Sequence, residues 1–402
     1  MPASPSTARA INDRLALRLL QQEGPLTAGQ LKQLTGLSRP TVADLVERLT
    51  ASGLIAVVGE SGELRRGPNA RLYGIVADRA QLAALDVRTE GVVVLVSDLV
   101  GRVLAEVSVP IGGDTGTGPA VEQVVTAVER TAKEAGADRL HTVGIGAPGL
   151  VDPATGDLRD SGGLPAWHRR LAAALQERLP EARVTVENET NLAALAEQRE
   201  GAAHDRDTFV LLWLGHGVGA AVVLDGALRR GASGGTGEIG FLPVPGTASP
   251  PSARDCDGGF HSLAGAAAIG ALAREHGLPA ADGTDGPGAA GAVGAAVALL
   301  TGSPVAANGP ADRFLDALAG RIAVGAASVV AILDPGCVVL GGEVGRAGGA
   351  VLAARVEDRL RGMSPLLTEV RPSILGGTAV LRGALLTARD RAQDELFGPA
   401  VH

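Results

Sequence analysis

The sequence contains little cysteine, almost no lysine and no long apolar run. Its two cysteines, Cys256 and Cys337, are too few for a disulfide framework, which excludes the small disulfide-stabilised class of domains. Lys32 and Lys133 are the only lysines, and we interpret this bias toward arginine as genomic base composition rather than function. No apolar run approaches about twenty residues, so we expect no membrane span. The N-terminal stretch lacks the apolar core of a signal peptide, so we expect a cytoplasmic protein.

The charged residues are unevenly distributed along the 402 residues, a length that suggests two or three domains. Residues 1–75 carry nine Lys/Arg and six Asp/Glu, a net charge of +3, whereas the whole chain has a net charge of −8. A mildly basic N-terminal segment on an acidic body suggests that only the N-terminal segment meets a polyanion.

The first 76 residues have the pattern of three short helices. Ile11, Leu15 and Leu19 recur on one face of the first helix, which we expect to be its buried face. Thr27 and Gln30 form a possible capping box at the start of the second helix.

The third helix is predicted to begin at Ser38, because serine is a favoured helix N-cap. Its predicted buried face repeats at the i, i+3, i+4, i+7 spacing and consists of Val42, Leu45, Val46 and Leu49. The opposite face presents polar side chains that can reach base edges or phosphates, namely Arg39, Thr41, Asp44 and Arg48.

Two short apolar segments, 54–58 and 71–75, then predict a β-hairpin with Arg65 and Arg66 at its tip. Helices of this spacing followed by such a hairpin are typical of winged helix-turn-helix domains, which place the third helix in the major groove. We therefore predict that the segment binds double-stranded DNA, with Arg65 and Arg66 on phosphates and with the third helix contributing Ser38, Arg39, Thr41 and Arg48. The alternative is a helical packing module that binds no nucleic acid.

From Gln81 onward the pattern is that of an α/β fold. Three strand segments separated by tight turns recur as a second strand, turn, strand series in residues 208–241. In this second copy Gly215, Gly217 and Gly219 interrupt the apolar runs, and glycines let backbone N–H groups approach an anion closely. The alternative is a hairpin whose glycines only relieve crowding.

Three motifs in this chain resemble the ROK family (repressors, open reading frames and sugar kinases). They are Leu214-Gly-His-Gly-Val-Gly219, Gly237-Glu-Ile-Gly240 and, in the N-terminal head, Leu37-Ser-Arg-Pro-Thr-Val42. The resemblance implies an α/β body with the actin-like ATPase fold, a duplicated RNase H-like architecture of two lobes, preceded by a winged helix-turn-helix domain. We place the head at residues 1–76 and the ROK body at 77–402, with one lobe formed by 77–190 plus 380–402 and the other by 191–379.

The phosphate-binding loop that the resemblance implies is degraded. The family's Asp-x-Gly-Gly-Thr loop, which holds the terminal phosphates of ATP, reads Asp86-Val-Arg-Thr-Glu90 here. Both glycines are lost, and with them the close backbone approach that a phosphate needs. We therefore predict that the protein neither uses ATP nor phosphorylates sugars. The remnant of the nucleotide loops consists of Asp86, Gly215, Gly217, Gly219, Gly341 and Gly342.

The resemblance assigns a ligand pocket to Trp167, Asn188, Glu189 and Glu238. Glu189 takes the place of the family's catalytic aspartate but is one methylene longer, and a displacement of about 1 Å can cost on the order of a hundredfold in rate. We therefore predict no catalytic residue. Two alternatives stay open, Trp167 as a core aromatic and Glu189 as a solvated charge at a helix start.

The family's zinc ligands fall on Phe241, Arg254, Cys256 and His261. Two possible ligands of four do not make the tetrahedral set that a structural zinc needs. We therefore predict no metal and no other cofactor.

Together these patterns predict a sequence-specific transcriptional regulator whose body senses a small sugar or sugar phosphate, dimerises, or does both. As a homodimer or higher homo-oligomer, it should bind an inverted-repeat DNA operator. One alternative is a sugar kinase with an appended DNA-binding head. Another is a regulator whose body binds no ligand and only dimerises.

Overall fold

The computed structural model of the chain describes residues 5–61, 70–159, 164–252, 258–279, 285–302 and 308–397. Within these ranges the helices are α1 (Pro5–Glu23), α2 (Ala28–Thr35), α3 (Arg39–Ala51), α4 (Thr117–Glu134), α5 (Ala166–Arg178), α6 (Glu189–Glu200), α7 (His261–Ala264), α8 (Ala266–Glu275), α9 (Gly286–Gly302), α10 (Pro310–Leu333), α11 (Gly342–Met363) and α12 (Ala379–Phe397). The strands are β1 (Leu26–Thr27), β2 (Ile55–Ser61), β3 (Ala70–Ile75), β4 (Gln81–Arg88), β5 (Gly91–Asp98), β6 (Val103–Pro110), β7 (Thr142–Ala147), β8 (Arg183–Asn188), β9 (Phe209–Leu214), β10 (Val218–Leu224), β11 (Ala227–Arg229), β12 (Cys337–Gly341) and β13 (Glu369–Pro372).

The N-terminal head combines α1, α2 and α3 with an antiparallel sheet ordered β1-β3-β2. The predicted capping box begins α2, because Gln30 N donates to Thr27 Oγ1 (3.2 Å) and Thr27 N donates to the Gln30 side chain (2.8 Å). At the start of α3, Thr41 N donates to Ser38 Oγ (3.3 Å), which confirms the predicted cap. The predicted buried face of α3 is also confirmed, with Val42, Leu45, Val46 and Leu49 buried.

The prediction for the buried face of α1 is wrong for two of its three residues. Ile11 and Leu15 are 56% and 39% exposed and Leu19 is partly buried, whereas Ala16, Leu17 and Leu20 are buried. These three residues share an apolar cluster with residues of β4 and α12 as well as with the rest of the head. Because α1 packs against the body, its buried side depends on contacts that its own periodicity does not reveal.

The body contains two five-stranded sheets built on the same plan. In the first sheet, ordered β6-β5-β4-β7-β8, the central strand β4 pairs antiparallel with β5 and parallel with β7. In the second, ordered β11-β10-β9-β12-β13, the central strand β9 pairs antiparallel with β10 and parallel with β12. This repeated order confirms the predicted duplication.

The glycine turn of the second sheet is shorter than predicted. Strand β10 begins at Val218, and Gly219, which was expected to interrupt the apolar run, pairs with Trp213 inside the ladder. Gly215 N donates to Gly217 O (3.1 Å), which closes the turn. Only residues 215–217 therefore form the turn, because a glycine can keep its ladder hydrogen bonds and continue a strand.

Each sheet has its own apolar core, and α6 and α12 fill the space between the sheets. By length and composition α10 would also qualify as a membrane span, but half of that apolar segment is buried. Phe314, Leu318 and Ile322 on this helix are fully buried in the second core, which makes α10 a core helix.

Candidate DNA-binding surface and interlobe site

Helix α3 presents Arg39 to solvent in its first turn. Ser38 Oγ lies 2.8 Å from Thr41 Oγ1, so the hydroxyls of both residues take part in the cap. Pro40 occupies the first turn, where a missing N–H costs nothing, and Arg39 beside it is exposed. The cap thus fixes the start of the helix and leaves Arg39 as the long side chain that can reach base edges.

Arg48, also predicted to bind DNA, has carboxylate partners within the head. Its Nη2 lies 2.6 Å from Asp13 Oδ1 on α1, and its Nη1 pairs with Asp44 one turn earlier on α3. The guanidinium therefore ties α3 to α1. No local pattern indicates Asp13 as the partner of Arg48, because the two residues are 35 positions apart.

The predicted wing is present as the hairpin of β2 and β3, with a register shift between Val57 and Gly59. Its tip, with Arg65 and Arg66, lies outside the described residues, so their contact with phosphate stays a prediction. Arg71 is exposed on the stem of the same hairpin.

Between the two sheets, Asp86 at the end of β4 is paired with Arg88. Asp86 is 2% exposed, and its Oδ2 accepts hydrogen bonds from Arg88 Nε (2.9 Å) and Nη2 (2.5 Å). Burial raises the pKa of Asp86, and the guanidinium partly opposes that effect. Arg88 Nη2 also donates to Gly377 O (2.9 Å), 289 positions along the chain. Arg88 therefore joins the first sheet to the segment that precedes α12.

Helix α6 begins at the same interlobe space with Asn188 as its cap. Asn188 Oδ1 accepts from Thr190 N (2.9 Å), and Asn188 Nδ2 donates to Gly149 O (2.9 Å) and to Glu189 Oε2 (3.2 Å). Every polar atom of this amide is therefore used to hold the helix start, which places Glu189 between the lobes.

Glu189 is neutral at pH 7. Burial, together with the negative charges of Asp86, Glu238 and Glu343, raises its pKa to about 8. A carboxyl group that keeps its proton donates a hydrogen bond and does not act as a general base. The structure therefore differs from the expected solvated charge at a helix start.

Glu187 is a site residue that the sequence did not single out. It is buried, and its carboxylate accepts from Arg230 Nε (2.7 Å), Asn191 Nδ2 (2.9 Å) and Asn188 N (3.0 Å). The Glu187 carboxylate thus joins β8, α6 and the segment after β11 through hydrogen bonds. Only the short spacing to Asn188 and Asn191 could have indicated this role, since Arg230 lies 43 positions away.

Two family profiles match the chain, the ROK family over residues 82–391 and the MarR family over residues 11–67. The chain belongs to the ROK family. Its head, matched separately, is similar to the MarR family.

Both repressors and a kinase are among the curated relatives of this ROK chain. It is 25% identical over 242 residues to the xylose repressor of Caldicellulosiruptor bescii, which covers 59% of each protein. It is 30% identical over 287 residues to the glucokinase of Thermotoga maritima, which covers 66% of this chain and 81% of the glucokinase. The match therefore spans less than two thirds of the repressor's length.

Solved ROK structures show the same fold. A ROK family transcriptional regulator, a homolog of the E. coli MLC protein, superposes with a TM-score of 0.74 at 22% identity, over 97% of this chain and 98% of that chain. The ROK family glucokinase of Streptomyces griseus, in complex with glucose and AMPPNP, gives a TM-score of 0.62 at 25% identity, over 77% of this chain and 99% of that chain. The first of these matches extends over the winged head and the ROK body together.

The ROK phosphate loop of this chain does not fit a nucleotide. Arg88 pairs with Gly91, so Thr89 and Glu90 alone form the turn between β4 and β5. The Arg88 guanidinium lies on Asp86 and Gly377 O, where the glycines of the family pattern would leave space for phosphate oxygens. The carboxylates that raise the pKa of Glu189 add negative charge to the same space.

The ROK zinc positions do not fit a zinc ion either. His261 Nδ1 accepts from Val218 N (3.3 Å), and Phe241 packs edge-on against the His261 ring at 5.6 Å between centroids. Burial lowers the pKa of His261, so the ring is a neutral hydrogen-bond acceptor that braces the glycine turn. Arg254 and Cys256 lie outside the described residues. The absence of zinc stays a prediction.

The remaining ROK site residues fall in different environments. Glu238 is exposed at the rim of the interlobe space, whereas Trp167 is 3% exposed and belongs to the core of the first sheet. The His168 ring stacks edge-on against Trp167 at 4.2 Å between centroids. Trp167 is therefore a core aromatic, the alternative that its sequence context left open, and it does not face a ligand. Gly342 has φ +75°, and a β-carbon there would lie 2.4 Å from Leu214 O, so this glycine serves packing.

Proposed function

We propose that this chain is a sequence-specific DNA-binding transcriptional regulator. Its DNA-binding domain is residues 1–76, and its ROK body is residues 77–402, with one lobe formed by 77–190 plus 380–402 and the other by 191–379. The observation that carries the proposal is the exposed Arg39 at the capped start of α3, on a winged head joined to a ROK body. Such a regulator acts on the chromosome, and hence in the cytoplasm.

The interlobe space is the place that we propose for an effector, a small sugar or sugar phosphate. Glu189 and Glu238 offer hydrogen-bonding groups there, and Asn188 and Glu187 hold the start of α6 in place. Relatives named xylose repressor and N-acetylglucosamine repressor support a sugar as the chemical class. If the body instead binds no ligand and only dimerises, a thermal-shift panel of sugars and sugar phosphates will leave the melting temperature unchanged.

Two copies of the chain should act together. A two-fold symmetric dimer presents two recognition helices, so the operator should be an inverted repeat with half-sites about one helical turn, or a multiple of it, apart. Selection of genomic fragments bound by the full-length protein tests the proposal, since an enriched palindrome is expected. A bound pool without any enriched motif would overturn it.

The alternative function is a ROK sugar kinase with an appended head, and the 30% identity to a glucokinase favours it. Against it stand the Asp86–Arg88 pair in the phosphate loop and the protonated Glu189. A coupled assay over a panel of hexoses with ATP and Mg²⁺ decides between the two. Turnover of about 1 s⁻¹ on any hexose, the low end of ordinary enzyme rates, would establish that the protein is a sugar kinase.

A further inference from the structure

Glu343, in the first turn of α11, points its carboxylate into the glycine turn between β9 and β10. A β-carbon added at Gly215 would lie 2.5 Å from Glu343 Oε2, and one added at Gly286 would lie 3.3 Å from the same oxygen. Glycine at Gly215 leaves room for the carboxylate in this position, and glycine at Gly286 relieves a tight contact. Glu343 Oε2 is shielded from solvent and makes no hydrogen bond to the described residues.

The oxygen lies where the glycine turn meets the N-terminus of α11, without a hydrogen bond to either. Helix α11 has Gly341 as its N-cap and no side-chain hydrogen bond at the cap, so the N–H groups of its first turn remain for another partner. A glycine turn and a helix N-terminus that meet at one point attract phosphate groups, through backbone N–H groups and the helix dipole. Here the carboxylate of Glu343 lies at that point.

We propose that Glu343 closes the former nucleotide pocket, because its carboxylate fills the space beside the turn formed by residues 215–217 with negative charge. A phosphate that entered this turn would have to displace the carboxylate or lie beside it, against like charge. The inference rests on the proposed function, in which the body is no kinase. It goes further in naming a residue outside the phosphate loop at Asp86–Glu90 as a second cause of nucleotide exclusion.

The structure also indicates why the Arg88 guanidinium does not neutralise the charge of the Glu343 carboxylate. Arg88 lies in the field of Glu343, but its guanidinium is already hydrogen-bonded to Asp86 and Gly377. Asp86 lies in the same space and adds to the negative potential. An entering phosphate would therefore meet carboxylates first.

Titration with ADP, followed by calorimetry, tests the proposal on four full-length proteins. They are the wild type, Glu343→Gln, Glu343→Gly and, as a control, Asp358→Asn, which removes an exposed carboxylate from the same helix. Glu343→Gln keeps the shape and removes the charge, and Glu343→Gly also opens the space. We expect both Glu343 variants to bind ADP at least about tenfold more tightly than the wild type and Asp358→Asn, a difference of about 1.4 kcal/mol.

Two results would overturn the proposal. One is that the wild type binds ADP as tightly as Glu343→Gln. The other is that both Glu343 variants keep native circular dichroism and melting temperature yet bind ADP no better than the wild type, which would leave Glu343 as a helix-capping residue only. Neither result bears on the proposed regulatory function, because selection of bound DNA fragments tests that function through the DNA-binding head. Hexose phosphorylation by the wild type would instead refute the proposed function itself.

Discussion

Glu189 stands at the first position of α6, at the point where the family's catalytic aspartate would lie. Its partly buried carboxyl group receives a hydrogen bond from Asn188 and lies within the fields of Asp86, Glu238 and Glu343. Because it keeps its proton at neutral pH, it suits hydrogen bonding to a ligand hydroxyl better than removal of a proton from it. The residue therefore fits a sensing site better than a catalytic one.

This protonation makes the stability of the protein depend on pH in a defined direction. The pKa of Glu189 is about 8 in the folded protein, against an ordinary value of 4.5. The folded state therefore binds the proton more tightly, and the free energy of unfolding should fall as pH rises through this window. Below the ordinary pKa, both the folded and the unfolded states are protonated, and the stabilisation of the folded state by this proton is fully present. Above the folded-state pKa, this stabilisation is lost.

As the pH rises from about 5 to 8.5, the melting temperature of Glu189→Gln should therefore fall less than that of the wild type. Thermal unfolding followed across this range measures the difference. Glu177→Gln, at an exposed position on α5, is the matched control and should keep the wild-type slope. Equal slopes for the wild type and Glu189→Gln would show that the carboxyl is ionised in the folded protein.

At the scale of single elements, α3 depends on the cap at Ser38. Ser38→Ala removes the acceptor for Thr41 N and should cost about 1 kcal/mol of local stability, while Ser38→Asp, another good N-cap, should retain it. Amide hydrogen exchange in the first turn of α3 should therefore be roughly fivefold faster in Ser38→Ala. Thr50→Ala, exposed in the last turn of α3, is the control. Unchanged exchange in Ser38→Ala would show that the cap does not hold the helix.

Local signals predicted those elements whose partners are near in sequence. The capping residues Thr27 and Ser38 act over three positions, and the confirmed buried face of α3 follows from helical periodicity within a single segment. The failures have distant causes. The buried face of α1 depends in part on contacts with β4 and α12, and the partner of Arg88 at Gly377 comes from the far end of the chain. Likewise, Glu343 meets the turn at residues 215–217 only because the fold brings α11 against it.

Across the whole molecule, α12 connects the interlobe space to the head. It follows the segment in which Gly377 O accepts from Arg88, and it packs along α6, β4 and β7. At its other end Gln393 Nε2 donates to Gln21 Oε1 (2.8 Å) on α1 and to Leu99 O (3.1 Å). One helix thus contacts both the proposed effector site and the DNA-binding domain.

Gln393→Ala should loosen the head from the body, because it removes the hydrogen bond to Gln21, worth about 0.5–1.5 kcal/mol. We expect faster amide exchange in α1, with exchange in α4 and α5 unchanged. Gln33→Ala, exposed on α2, should leave both regions as in the wild type. If α1 exchanges at the wild-type rate in Gln393→Ala, the apolar contacts of Ala16, Leu17 and Leu20 hold the head without this bridge.

Sequence-specific DNA binding by the head is tested most directly by measuring the affinity of Arg39→Ala for the best-enriched genomic fragment and for a scrambled fragment of equal length. The variant should lose about 1–3 kcal/mol on the enriched fragment, and the ratio between the two affinities should fall. Arg18→Ala, exposed on α1, should keep the wild-type ratio. Arg66→Ala should weaken binding to both fragments alike. It should also lower the slope of log affinity against log salt concentration by about one. An unchanged ratio in Arg39→Ala would contradict the account.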